Sequence, residues 1–402
     1  MNVNKIREDF IVLNRKVNGN KLVYLDSAAT SLKPKQVLDA EKKYYETSCA
    51  NIHRGVHEMS QEASIEYEKS HSVVANFINA DKEEVIFTKN TTESLNLLMY
   101  SLSNGNFFKK GDKIVTSDLE HHSNIIPWQY LEKKLGIKLE FVKLTNNFEI
   151  DLEDFEKKSK GAKLVSISGA SNTVSTHTNL KEIEKITHEN NALLCVDGAQ
   201  LVPHETFDFK KSNIDFLAFS GHKMLAPTGI GCMIGKKKLL SEMEPFLFGG
   251  DMITDVQKHS ATWNNLPSKF EAGTPNIAAS YGMNAAIKYL EKLGMNNVKK
   301  HEQKLTNLCI SELEKMNVTT YGPKNENQGG IVLFDCKKIN CHDIATILND
   351  EGIAIRSGMH CAQPLVSSLN EDGLARASFY IYNTEDEVMF FIKKLKELIG
   401  NI

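Results

Sequence analysis

Short apolar runs alternate with helical stretches through the middle of the chain, and this alternation limits the architecture more than any other feature. Val85-Ile86-Phe87, Lys113 to Thr116, Lys138 to Lys143, Lys163 to Ser168, Leu193 to Asp197 and Phe216 to Ser220 have the length and apolar content of buried strands. Between them, Thr92 to Leu98, Trp128 to Leu135 and Ile183 to Glu189 carry apolar residues at helical spacing. Such alternation predicts a mostly parallel sheet covered by helices, since a parallel crossover needs a helix-length connection. Gly229 to Gly235 reads as a seventh strand that could run antiparallel.

Beyond Gly273-Thr274-Pro275-Asn276 the texture changes. Helical patterns over Ala278 to Lys292 and Asn297 to Met316 lead into a strand (Gly330 to Phe334), a helix (His342 to Asn349), a strand (Ile353 to Arg356) and a last helix (Glu385 to Ile399). A length of 402 residues is long for one core. The predicted organisation is therefore a large α/β domain, 20–290, with a seven-stranded, mostly parallel sheet, and a small α+β domain formed by 1–19 and 291–402.

Bulk properties exclude several classes. A net charge of −3 supplies no general attraction to nucleic acid or membrane surfaces. No eighteen-residue apolar run predicts a membrane span, and the N-terminus carries no signal-like apolar stretch. Seven cysteines at scattered spacing argue against a disulfide framework and for a reducing, cytoplasmic setting. No HExxH or CxxC is present, and Cys336, Cys341 and His342 lack zinc-finger spacing, so no metal is expected.

Chemistry concentrates at two strand ends. Val196-Asp197-Gly198-Ala199-Gln200 closes one predicted strand and Ser220-Gly221-His222-Lys223 the next. Open α/β sheets bind ligands at such ends. A carboxylate and a lysine there are the pair a pyridoxal phosphate (PLP) enzyme needs: the amine holds the aldehyde and the carboxylate keeps the ring nitrogen protonated. A lone lysine at a strand end is usually just solvated, and Asp after a strand is commonly a turn residue. Ser220 and His222 as phosphate ligands, small residues at Gly198-Ala199 and Gly221 that admit a flat ring or a close backbone, and the Gln200 amide for a ring hydroxyl favour the cofactor. Asn90-Thr91-Thr92-Glu93 opens a helix after a strand, which fits a capping box, a phosphate on the helix N-terminus, or both. In Glu120-His121-His122-Ser123-Asn124 one histidine could stack on the ring. Cys195, Cys232 and Cys309 read as inert core, and Cys336 and Cys341 flank a polar turn. Cys361 differs, lying in the glycine-containing loop Arg356-Ser357-Gly358-Met359-His360-Cys361-Ala362-Gln363-Pro364, where cationic neighbours and exposure raise a thiol's reactivity.

These segments, with Tyr24 to Thr30, Asn51 to His57, Phe270 to Asn276 and Ala375-Arg376-Ala377-Ser378, resemble class V, fold-type I PLP enzymes, and specifically the group II (SufS-type) cysteine desulfurases, almost end to end. The resemblance implies that Lys223 carries PLP as a Schiff base and moves protons. It implies that Asp197 pairs with the ring nitrogen, Gln200 contacts the ring oxygen and His121 stacks on the ring. Thr91, Thr92, Ser220 and His222 would hold the phosphate, with Thr274 reaching that of a neighbouring subunit in a homodimer. Asn172 and Arg376 would bind the substrate carboxylate, Arg356, His53 and Arg54 would line the entrance, and Cys361 would take sulfur from L-cysteine as a persulfide. The sulfur would pass to an acceptor of SufE or SufU type and on to iron–sulfur cluster scaffolds. Two positions depart from the pattern: Gly169 stands where the family has His, and Ser175 where it has Gly. Met359 replaces a common histidine. A selenocysteine lyase, a cysteine-sulfinate desulfinase and a non-catalytic scaffold on the same fold stay open as alternatives.

Overall fold

The computed structural model describes residues 1–337 and 339–400. Seven strands form the main sheet: β1 (Val85–Thr88), β2 (Lys113–Ser117), β3 (Lys138–Val142), β4 (Ala162–Ser168), β5 (Leu193–Asp197), β6 (Phe216–Ser220) and β7 (Gly231–Gly235). Their spatial order is β1-β7-β6-β5-β4-β2-β3. β7 runs antiparallel to both β1 and β6, while every other neighbouring pair is parallel.

The continuous apolar runs follow from burial on both faces. Val165, Ile167, Leu194, Val196, Leu217 and Phe219 point into one core, with Ile183, Met283 and Ile287 from covering helices. Leu164, Cys195, Phe216 and Ala218 point into another, against Leu95, Leu98, Trp128 and Leu131. Fully burying each such large side chain stabilises the fold by about 1.5–3 kcal/mol.

A second sheet contains β8 (Thr319–Tyr321), β9 (Ile331–Asp335), β10 (Arg356–Gly358) and β11 (Leu374–Ser378), in the order β8-β9-β11-β10 and antiparallel throughout. It packs on helices Met295–Lys315, Cys341–Asp350 and Glu385–Gly400 around a separate core. The strand expected over Ile353 to Arg356 is two elements. Ile353–Ala354 pairs in parallel with Val23–Tyr24, and Arg356–Gly358 pairs with β11. The N-terminal segments exchange their expected places. Ile6, Phe10 and Leu13 pack in the main core, whereas Val23 and Leu25 belong to the core of the second sheet. Their sequence pattern shows only that they are apolar, not which of two cores receives them. Among the described residues no helix is long and apolar enough to cross a membrane.

Candidate active site

All the parallel strands direct their carboxyl ends to one edge, where a cavity of about 250 Å³ opens. Asp197 ends β5, Ser220 ends β6, and Lys223 follows on a single 3-10 turn, Gly221–Lys223. These three line the cavity together with Thr91, Thr92, His121, Asn172, Gln200, His222, Arg356, Cys361 and Arg376. The chain thus gathers residues from nearly its whole length. Thr274 lies instead in a neighbouring groove with Tyr67, Phe246 and Leu247. His53 and Arg54 are also elsewhere, near Asp251, with His53 Nε2 3.0 Å from Glu68.

Burial sets the charge states. It drives the Lys223 amine down to about 8 against the opposing pull of Asp197, which makes the neutral amine accessible near physiological pH. Burial raises Asp197, while the Ala199 N–H, 2.9 Å from Oδ1, and Lys223 favour its charged form. Burial and then the charge of Lys223 hold His121 down to about 3, so its ring is neutral. His121 Nδ1 accepts from the Ser123 N–H at 3.0 Å, which leaves any ring proton on Nε2. His222 is likewise held down to about 4.

At the start of helix Thr91–Asn104, Asn90 Oδ1 accepts from the Glu93 N–H at 3.0 Å. Glu93 answers by accepting from the Lys89 N–H, so Asn90, not a threonine, provides the cap. Thr91 donates its N–H to Ser220 Oγ at 2.9 Å, tying the helix start to the end of β6. The glycines serve a different purpose from the expected one. A Cβ on Gly221 would lie 2.9 Å from the Ile230 carbonyl, and one on Gly198 2.7 Å from Leu217 Cδ1. Each admits the protein's own packing rather than a ligand.

Arg356 and Arg376 stand directly opposite each other on β10 and β11. Two cations in that position repel. Asp26 offsets one of them, at 3.0 Å from Arg376 Nη2, and Arg376 Nη1 donates to the Asn172 carbonyl at 2.7 Å. Arg376 Nε is buried without a partner. Both guanidinium-bearing residues line the cavity and make that wall positive. Asn172 donates from Nδ2 to the His360 carbonyl at 2.7 Å, holding the Cys361 loop.

Several contributing residues were not singled out by sequence. Buried Glu120 accepts from Ser117 Oγ, Asn124 Nδ2 (2.6 Å), Ser168 N (3.0 Å) and Ser168 Oγ (2.8 Å), joining the ends of β2 and β4 beneath His121. His204 bridges Glu302, at 2.9 Å, and Gln200 Oε1, at 3.2 Å, while Gln200 Nε2 donates to the Ala28 carbonyl at 2.7 Å. Donor and acceptor matching along that chain fixes which way the Gln200 amide points. An Asp-x₂-Gln-x₃-His spacing was the available signal, but Glu302 comes from a distant helix. The departures are also accommodated. A Cβ on Gly169 would strike Leu201 at 2.8 Å. Ser175 takes φ 64°, and its Oγ accepts from the Ile331 N–H at 3.1 Å. Cys195, Cys232 and Cys309 are buried as expected. Cys336 and Cys341, on either side of the expected polar turn, are buried too, and Cys361 is half-buried.

The class-V aminotransferase family profile matches residues 23–391. The chain belongs to that family. It is 45% identical to a probable cysteine desulfurase of Staphylococcus aureus across 98% of this chain and 96% of that protein. The structure of the apo cysteine desulfurase from Thermococcus onnurineus NA1 superposes with a TM-score of 0.95 at 42% identity, covering 99% of this chain and 98% of that one. The Escherichia coli cysteine desulfurase CsdA, in its S-sulfonic acid form, gives 0.92 at 32% identity, covering 100% and 99%. PLP is the cofactor of this class, and the cavity suits it: a buried carboxylate and a buried amine, a helix N-terminus beside Ser220 and His222, and a neutral histidine in its wall.

Proposed function

We propose that this protein is a PLP-dependent L-cysteine desulfurase that releases L-alanine and loads the sulfur on Cys361 as a persulfide. The observation that carries the reading is the opening of the Cys361 thiol into the cavity that holds Lys223 and Asp197. Bound PLP supplies an electron sink for the substrate's α-carbon. Asp197 would hold the ring nitrogen's proton, and Gln200 would donate toward the ring oxygen. Thr91, Thr92, Ser220 and His222 would bind the phosphate, and neutral His121 would cover the ring. Arg376 and Arg356 anchor the substrate carboxylate, with the second N–H of Asn172 beside them; a bidentate guanidinium suits that anion. Lys223 Nζ takes and returns the α-proton. The Cys361 thiolate then attacks the substrate sulfur. An S–S bond forms, the substrate C–S bond breaks with its electron pair left on carbon, and that carbon gains a proton. One sulfur is oxidised as one carbon is reduced, so no outside oxidant enters.

The reading includes a homodimer. Thr274, His53 and Arg54 lie away from this chain's own cavity, the apolar Val56, Leu247 and Phe248 are exposed, and Leu247 shares the groove of Thr274. Exposed apolar groups of this kind suit a partner subunit, whose site these residues complete. A SufE- or SufU-type acceptor, delivery to iron–sulfur cluster scaffolds and a cytoplasmic setting complete the proposal. The test is to mix purified holoenzyme with L-cysteine and a reductant. Equal alanine and sulfide support the reading, and their absence refutes it. L-selenocysteine run in parallel identifies a lyase if it alone is cleaved.

A further inference from the structure

The loop that carries the thiol is held in an unusual backbone. His360 and Cys361 are consecutive non-glycine residues in the left-handed region, at φ 51° and 56°. L-residues rarely adopt this conformation, and such strain persists only where the surroundings over-determine it. The short helix that follows, Gln363–Leu369, begins after Ala362, which has no side chain able to cap it. A helix start leaves N–H groups in need of acceptors.

His122 meets both needs from 241 residues away. Its backbone N–H donates to the Cys361 carbonyl at 2.7 Å. Its ring Nε2 accepts from the Gln363 N–H at 2.9 Å. The two bonds hold the backbone immediately after the thiol-bearing Cα, from the Cys361 carbonyl to the Gln363 N–H. They come from the neighbour of His121, whose ring faces the cofactor cavity. We propose that His122 is a positioning residue for the Cys361 thiol, an acceptor supplied in trans that locks the left-handed His360-Cys361 pair and couples the thiol's place to that of the ring-covering His121. The inference rests on the desulfurase reading for its catalytic meaning, but not for its geometry.

The ring accepts at Nε2 only while that nitrogen carries no proton. Burial holds the ring below its ordinary pKa, which keeps the acceptor available. The other anchors, Asn172 to the His360 carbonyl at 2.7 Å and His360 Nε2 to the Leu374 carbonyl at 2.8 Å, act on residue 360. They leave Cys361 and Gln363 to His122.

The test compares holoenzymes bearing H122A, H122N and H122Q. A Gln Oε1 reaches the place of Nε2, whereas the shorter Asn oxygen does not. The primary readout is the iodoacetamide alkylation rate of Cys361, followed by peptide mass spectrometry with exposed Cys49 as internal reference. The expected result is at least a threefold change in the Cys361/Cys49 rate ratio in H122A and H122N, largely reversed in H122Q, with the cofactor absorbance unchanged. Turnover of L-cysteine then shows kcat falling about tenfold with KM within about twofold in H122A, and recovery in H122Q. Should H122A fail to fold, the Asn and Gln variants carry the comparison. A rate ratio equal to wild type in H122A, or in H122N, overturns the proposal. If the wild-type enzyme makes no alanine, the desulfurase reading fails while the alkylation comparison still decides the role of His122.

Discussion

Lys223 illustrates how one residue's setting dictates its chemistry. A lysine at the surface is a permanent cation near neutrality, but full burial brings this one to about 8. The folded apoprotein therefore binds fewer protons at this site than the unfolded chain between about pH 8 and 10.5. Its stabilising contribution is complete above that window and is lost as pH falls through the folded value. Relative to a Lys223→Met apoprotein, wild type should gain about 1.4 kcal/mol per pH unit across the window, read from urea denaturation at several pH values. A flat difference contradicts the assigned amine environment. In the holoenzyme, Lys223→Ala should abolish alanine formation, since among the described residues no other lysine lines the cavity to carry the α-proton; turnover at even a tenth of the wild-type rate defeats that role. Lys223, Asp197 and Cys361 were legible because each sits beside a strand end or loop with a chemical reason to be there. Their partners were not. Glu302 and Asp26 act across folds of the chain that no local spacing reveals, and Gly198 and Gly221 are explained by contacts with Leu217 and the Ile230 carbonyl.

Elements were legible where burial on two faces writes a continuous apolar run. β5 and β6 end at Asp197 and Ser220 as expected, and β7 is antiparallel. Helices Lys35–Thr47 and Glu58–Ile78 were not anticipated: Leu38, Tyr45 and Ile65 face outward and blur the helical spacing of their buried apolar residues. The junction beneath His121 is held by Glu120, to which four donors converge. Burial pushes this carboxyl up to about 7 and the donors oppose it. A carboxylate can accept all four bonds, but an amide turns an N–H toward groups that themselves donate. Glu120→Gln should therefore destabilise the protein by about 1–3 kcal/mol, seen as a lower thermal midpoint. An unchanged midpoint means that the cluster is not the strut described.

At the scale of the molecule, two cores meet at the cavity. The main sheet supplies the cofactor side, and β10 and β11 bring Arg356, Arg376 and the Cys361 loop from the second core. Val23–Tyr24 pairs with Ile353–Ala354 and Asp26 reaches Arg376, so the N-terminal segment pins the two together. Asp26→Asn should weaken that pin and leave Arg376 less restrained, raising KM for L-cysteine more than it lowers kcat; the reverse pattern contradicts an orienting role. In the proposed reaction, sulfur leaves the substrate only through the thiol of Cys361. The direct measurement is alanine release from L-cysteine by the Cys361→Ala holoenzyme, with L-selenocysteine as a parallel substrate. With the cofactor still bound, this variant should form no alanine from cysteine above background. Alanine from L-cysteine at the wild-type rate would contradict it.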